Sequence, residues 1–156
     1  MNVYRTSNLN DLHEIERLSA SGGGPKYKMG HLVTMCYRNV DVFWFYVVKD
    51  GDELQGYAII DLAQWLEARA FVRDFFVHPG RRKGLQASCL MLQHLRADLH
   101  KVGCRWLYGY VRASDTKWIN TLKYVRCEKY ADLPGWGTDG SDYIMVRRDL
   151  SNAAEV

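Results

Sequence analysis

Apolar and polar positions along this chain keep two different rhythms. Val42–Val48 (VFWFYVV) is continuously apolar, which predicts a central strand buried on both faces. Lys49-Asp50-Gly51-Asp52-Glu53 supplies a hairpin turn, and Leu54–Leu62 (LQGYAIIDL) is the return strand. Gly56 within it predicts a bulge or a close backbone approach. Asn2–Thr6 reads as a short first strand, Ala68–Val77 as an aromatic-rich one, and Cys104–Val111 as another. Spacings of three and four appear elsewhere. Leu9, Leu12, Ile15 and Leu18 predict a helix over Asn8–Leu18, capped by Asn8 or Asn10. A weaker second helix covers Tyr27–Arg38, through Met29, Leu32, Val33 and Cys36. A long third helix begins near Gly84, its stripe being Leu85, Cys89, Leu92, Leu95 or Arg96, Leu99 and Val102, with Gly103 ending it. Ser114-Asp115 caps a fourth, Thr116–Val125, with Trp118, Leu122 and Val125 on one face. Cys127–Tyr130 and Ser141–Arg148 close the chain as an antiparallel pair joined by the Pro134–Gly140 loop.

A helix between Ala68–Val77 and Cys104–Val111 makes those strands parallel, joined by a right-handed crossover. The order predicts one α/β (α+β) domain over residues 1–150, with 151–156 frayed. Ser19–Pro25 could be taken for a phosphate loop, but no strand precedes it and no Gly-Lys-Ser/Thr follows, so it reads as a loop between two helices.

Composition narrows the class. The chain has 156 residues, 47% of them hydrophobic and 13% aromatic, enough for a real core. A net charge of +3 without a polybasic tail gives mild attraction to anions and no clear nucleic-acid partner. Cys36, Cys89, Cys104 and Cys127 are widely spaced, which predicts reduced thiols and neither disulfides nor a metal site. No signal-peptide core opens the sequence and no apolar run approaches membrane length, so a cytoplasmic location is expected.

The chemistry concentrates in Phe71–Val102. A strand containing Asp74 ends at His78-Pro79-Gly80, three cations follow (Arg81, Arg82, Lys83), and a helix opens at Gly84. Free N–H groups at a helix start, together with the positive end of its dipole, cradle an anion such as a phosphate. The wording Val77-His78-Pro79 followed by Arg81-Arg82-Lys83-Gly84-Leu85-Gln86-Ala87 resembles the acetyl-CoA signature of the GNAT (GCN5-related) N-acetyltransferases. Arg81-x-x-Gly84 matches; Gln86 stands where the family has Gly or Ala, with Ala87 one place late. The order of elements resembles that family from about Val3 to Leu150. The stretch Asp115–Tyr124 is also similar to divergent, acetyltransferase-like proteins of tailed phages, some with assembly roles.

The resemblance implies a mixed sheet of about six or seven strands, with strands four and five parallel and splayed, flanked by about four helices. It implies acetyl-CoA as co-substrate, its pyrophosphate on Arg81 and on the amides of Arg82, Lys83, Gly84, Leu85, Gln86 and Ala87. Its pantetheine would run along the backbone of Phe75, Phe76 and Val77. The reaction implied is attack of a primary amine, on a small molecule or a protein, on the thioester carbonyl; a homodimer is compatible with it. Holding a lysine-type amine neutral at pH 7 costs roughly 4.6 kcal/mol, and an α-amine only about 1 kcal/mol. The first kind benefits from a base.

Asp74, a carboxylate in an apolar strand, is the candidate base; its other reading is an ion pair with Arg73, Arg105 or Arg112, or a residue facing water. In many family members a tyrosine protonates the leaving thiolate. That position is Leu122 here, and Tyr124 is the candidate acid, with Tyr108 and Tyr110 as alternatives. His78 reads as structural. Trp136, Asp139 and Asp142 form an amine-attracting set or a solvated turn. Gln86, Leu122 and the absence of a clear glutamate base leave a second reading open, an acetyltransferase fold used for binding or assembly without catalysis.

Overall fold

A computed structural model describes residues 1–22, 25–78, 80 and 83–151. Seven strands and four α-helices follow the expected order: β1 (Asn2–Arg5), α1 (Leu9–Ala20), α2 (Met29–Val33), β2 (Phe43–Asp50), β3 (Glu53–Asp61), β4 (Arg69–Val77), α3 (Gly84–Lys101), β5 (Trp106–Arg112), α4 (Thr116–Tyr124), β6 (Glu128–Leu133) and β7 (Tyr143–Asp149). They form one mixed sheet in the order β1-β2-β3-β4-β5-β7-β6. The pair β4–β5 is parallel, and its ladder covers only Arg69–Phe71 against Trp106–Tyr108. Among the described residues no helix is long and apolar enough to cross a membrane.

The chain divides into two compact units. The first comprises Met1–Ala63 and Arg73–Leu95. Its β1–β2–β3 meander is antiparallel, and Phe45, Tyr46, Val47 and Val48 are buried, as the unbroken apolar run of β2 requires. α1 starts where the Asn8 side chain accepts the Asn10 N–H, satisfying one orphan donor. Its buried face carries Leu12 and Ile15, which join Leu32, Cys36, Phe45, Val47, Tyr57 and Ile59 in one core. α2 is shorter than its sequence pattern predicts, because Thr34–Arg38 continues as a π-helical turn. A bulge between Val48 and Lys49 sets Val48 opposite Gly56 and Lys49 opposite Leu54. Both expectations for Gly56 hold, since it also lies against β4.

An ion pair between a buried carboxylate and a partly exposed lysine supports this unit. Lys49 Nζ lies 2.8 Å from Asp11 Oδ1, while the hydroxyls of Thr6 and Tyr4 donate to Asp11 Oδ2 at 2.6 and 3.2 Å. Burial pushes the Asp11 carboxyl up, but these partners outweigh it and hold the group below the usual carboxylate range.

The second unit comprises Gln64–Val72 and Arg96–Val156. β5, β7 and β6 are antiparallel neighbours, and Val111, Ile144 and Val146 pack with Leu122 of α4. β6 runs to Leu133, past the expected end at Tyr130, because an irregularity between Lys129 and Ala131 lets pairing resume. The frayed end expected at 151–156 lies, from residue 152 onward, outside the described residues; Ser151 itself donates to Asp149 Oδ1 from its backbone N–H and its hydroxyl.

The buried stripe of α3 agrees with its sequence reading at Leu95 and Leu99 and differs toward both ends. Ala87, Met91, Leu95 and Leu99 are its fully buried apolar positions, whereas Leu85 and Val102 are exposed. Ala87 is small enough to be passed over in a hydropathy scan, yet it is fully buried. From it the i, i+4 spacing runs unbroken.

Candidate active site

Asp74 sits near the middle of β4, on an alternating strand whose next same-face residue is Phe76. Its carboxylate is engaged by tyrosines. The Tyr57 hydroxyl, from β3, donates to Asp74 Oδ2 at 2.8 Å. Tyr27, from the segment between α1 and α2, bears on the same carboxylate through its hydroxyl, and the Phe75 N–H adds a third donor. Arg73 contributes charge attraction from its own place on the strand. Burial dominates all of these and raises the Asp74 carboxyl above the ordinary value. The two phenols are also raised, by burial first and by the Asp74 charge second, so both remain protonated donors at neutral pH.

The surroundings are tight. Tyr57 is 1% exposed, its ring stacked on Phe76 at 5.8 Å and met edge-on by Tyr27 at 6.4 Å. A Cβ added at Gly22 would lie 2.7 Å from Phe76 Cε2, so only glycine lets that end of α1 approach the ring. The Ser19 hydroxyl accepts the Tyr27 N–H at 3.1 Å and Glu16 accepts the Met29 N–H at 2.6 Å, tying the following segment back to α1. Tyr57 and Tyr27 were not recognisable as site residues from sequence. Their role depends on a strand register and a loop path, and a tyrosine in an apolar run signals only core.

The backbone of β4 has two edges. A Cβ at Gly56 would fall 2.4 Å from the Phe76 carbonyl oxygen, and the His78 N–H donates to the Gln55 carbonyl at 2.8 Å. Phe76 and His78 therefore direct their backbone groups toward β3. Since successive residues of a strand alternate edges, those of Phe75 and Val77 lie on the other side. Of the three residues expected to flank pantetheine, Phe75 and Val77 turn their backbone groups to the edge away from β3, while Phe76 faces β3.

At the start of α3, where a diphosphate is expected, the N–H groups are not all alike. Ala87 is buried and its N–H donates to the Lys83 carbonyl at 2.8 Å, so that amide is taken up by the helix. The N–H groups of Gly84, Leu85 and Gln86 precede the first intrahelical bond and have no carbonyl within the helix to meet. Leu85 and Gln86 are exposed, and a Cβ at Gly84 would find nothing nearer than Val77 Cγ1 at 3.7 Å. The Gln86 side chain thus stands in open surroundings. Lys83 Nζ lies 3.2 Å from Asp50 Oδ2, both side chains being about half exposed. Arg81 and Arg82 lie outside the described residues, as does Pro79. His78 Nδ1 accepts the Gly80 N–H at 3.1 Å, a turn-closing role.

The other candidates lie in the second unit. Tyr124, at the end of α4, is 79% exposed, whereas Leu122 is buried in the apolar cluster with Val111, Ile144 and Val146. Tyr108 is buried and stacks on Phe71 at 5.2 Å; Tyr110 stacks on Trp136 at 5.7 Å. Asp139 is committed to Arg112, at 3.1 Å, and to the Ser141 N–H and hydroxyl. Ser141 and Arg112 together hold its carboxyl well below the usual range. Asp142 accepts the Gly135 N–H at 2.9 Å. These acids shape the Pro134–Gly140 turn.

No protein-family model matches the sequence, and no curated protein matches it. Solved structures do resemble it along nearly the whole chain. A ribosomal-protein-S18-alanine N-acetyltransferase from Escherichia coli superposes with a TM-score of 0.79 at 19% identity, over 99% of this chain and 96% of that one. A Desulfovibrio desulfuricans protein assigned to the GNAT family of acetyltransferases gives 0.79 at 16% identity, over 96% and 99%. A Salmonella typhimurium protein assigned as an acetyltransferase, solved with its cofactor acetyl-CoA, gives 0.80 at 11% identity, over 97% and 94%. The fold of this chain is the GNAT acetyltransferase fold.

Proposed function

We propose that the chain is an acetyl-CoA-dependent N-acetyltransferase acting on a primary amine of a small molecule or protein. The observation that carries this reading is Asp74: a half-buried carboxylate, raised above its ordinary pKa and held by hydroxyl donors, on the strand that leads to an open helix start. Acetyl-CoA, when bound, supplies an acetyl thioester that an amine can attack. The N–H groups of Gly84, Leu85 and Gln86, with Lys83 and the cations Arg81 and Arg82, would hold its diphosphate. The Phe75–Val77 edge of β4 would take its pantetheine arm.

Asp74 then accepts the proton that an alkylammonium must lose before it becomes a nucleophile. A carboxylate raised toward neutrality is a better base for this than one at its ordinary value. Tyr124 is assigned the donation of a proton to the departing thiolate, a role that Tyr124→Phe tests by a fall in turnover with acetyl-CoA binding intact. The acetyltransferase names of the structural neighbours support the reaction class, and the alanine named for one and the spermidine named for another leave the acceptor to experiment.

A second reading has its own observation. Leu122 is 6% exposed and belongs to the core, so the family's tyrosine position is here given to packing. That favours a protein that binds through this fold without transferring acetyl groups. One pair of measurements separates the readings: the thermal shift produced by acetyl-CoA, and thiol release across a panel of amines and peptides. Binding with release supports the enzyme, binding without release supports the second reading, and no shift at millimolar acetyl-CoA overturns the acetyl-CoA site.

A further inference from the structure

We infer that Tyr57, whose hydroxyl donates to Asp74 Oδ2, is a positioning residue that fixes that carboxylate on β4, and that Tyr27, edge-on to the Tyr57 ring, supports it. The inference rests on the acetyltransferase reading and assigns it two further residues.

The geometry comes from three elements. Tyr57 stands on β3 opposite Val47 of β2, which fixes its backbone in the middle of the sheet. With its ring between Phe76 and Tyr27 and almost no exposure, the hydroxyl cannot turn to water, and its donor goes to Asp74 Oδ2. Tyr27 is anchored at its backbone by Ser19 and is itself buried. A side chain as short as aspartate has two rotatable bonds, and a hydroxyl that is immobile in the core removes most of that freedom. An oxygen held in place before the amine arrives contributes to rate through orientation.

The same contacts act on ionisation. The charged groups and donors that face Asp74 are Arg73 on its own strand, the Phe75 N–H, Tyr57 from β3 and Tyr27 from the segment after α1. Burial opposes the carboxylate form and these donors favour it. Removing one hydroxyl must therefore move the Asp74 titration further up, because a hydrogen bond to the ionised form is lost while the burial stays. A tyrosine that served only to fill the core would leave the titration where it is.

The test compares wild type, Tyr57→Phe and Tyr27→Phe, which keep the rings and delete only the hydroxyls. The pH dependence of kcat/KM is measured with the best acceptor amine, alongside the carbon-13 titration of the Asp74 carboxyl in aspartate-labelled protein. Loss of a charge-assisted hydrogen bond is expected to raise the acid limb and the Asp74 titration by about one pH unit, a tenfold change in protonation ratio. The KM for acetyl-CoA should stay unchanged, and the rate deficit should shrink as pH rises. An acid limb and a carboxyl titration that stay put in both variants would overturn the inference. If wild type transfers no acetyl group, the acetyltransferase reading fails. The carboxyl titration then decides the hold on Asp74 by itself: an upward move supports it, and an unmoved value overturns it. Should Tyr57→Phe not fold, Tyr27→Phe carries the same comparison.

Discussion

The carbonyl oxygen of Phe76 occupies the space where a side chain on Gly56 would begin: a Cβ there would lie 2.4 Å from that oxygen and 3.1 Å from the Val77 Cα. Both are backbone atoms, so no rotamer can relieve the clash. Gly56→Ala is expected to destabilise the fold by about 3 kcal/mol or more, the upper part of the overpacking range, because β3 and β4 must separate. Urea unfolding measures it. A variant within about 0.5 kcal/mol of wild type, the level of an ordinary surface change, would contradict the close approach.

Asp74→Asn should separate activity from stability. The folded-state carboxyl is raised above its unfolded value, so wild type loses stability as pH climbs from about 3.9 through that raised value. The asparagine variant carries no such slope and can still accept the Tyr57 hydroxyl. At pH 7 it is expected to be at least as stable as wild type, while acetyl transfer falls by about a hundredfold or more. Denaturation midpoints from pH 4 to 8, paired with thiol-release rates, check both halves.

The order of elements was plain from sequence, and so were β2, β3 and a cap at Asn8 or Asn10, of which the structure uses Asn8, because unbroken apolar runs and local capping chemistry are written in neighbouring residues. What sequence could not show was contact at a distance. Tyr57 and Asp74 stand seventeen residues apart, and their hydrogen bond exists only once β3 and β4 lie side by side. The α3 stripe holds at Leu95 and Leu99 but not at its start, because Ala87 carries little hydrophobic weight and Leu85 carries much, although the helix start leaves Leu85 in the open. The acids at 139 and 142 looked available because nothing local announces that Arg112, Ser141 and the Gly135 amide will claim them.

Lys49 and Asp11 should dominate the acid limb of stability. Asp11 titrates below its unfolded value, so its contribution is complete above about pH 3.9 and is lost as pH falls through the depressed folded value. Asp11→Ala takes the nearest carboxylate from the partly exposed Lys49, which keeps Glu14 at 3.8 Å, and is expected to cost about 2 kcal/mol at pH 7, below the penalty for a fully buried pair. The gap between wild type and variant should narrow below pH 3. Urea titrations at pH 7 and pH 2.5 give the comparison; a gap of equal size at both would assign the loss to packing.

Gly84→Glu probes the anion site without touching the core. The position has ordinary contacts at most, and an acidic residue in the first turn of a helix contributes about 0.3–1 kcal/mol in its favour. The variant should fold as well as wild type or better. Acetyl-CoA at a hundred times its wild-type Kd should stabilise wild type by about 2.7 kcal/mol and the variant not at all. A retained shift would place the diphosphate away from Gly84, Leu85 and Gln86.

Lys83 and Asp50 give the anion cradle a competitor of its own. Because the lysine already neighbours a carboxylate, an arriving diphosphate exchanges one counter-ion for another and does not simply add to an empty charge. So exposed a pair contributes at most about 1 kcal/mol, which makes the exchange inexpensive. Added salt weakens the internal partner together with the external one. Binding at this helix start should accordingly respond to ionic strength less steeply than its three consecutive cations suggest, and Asp50→Asn should steepen the response.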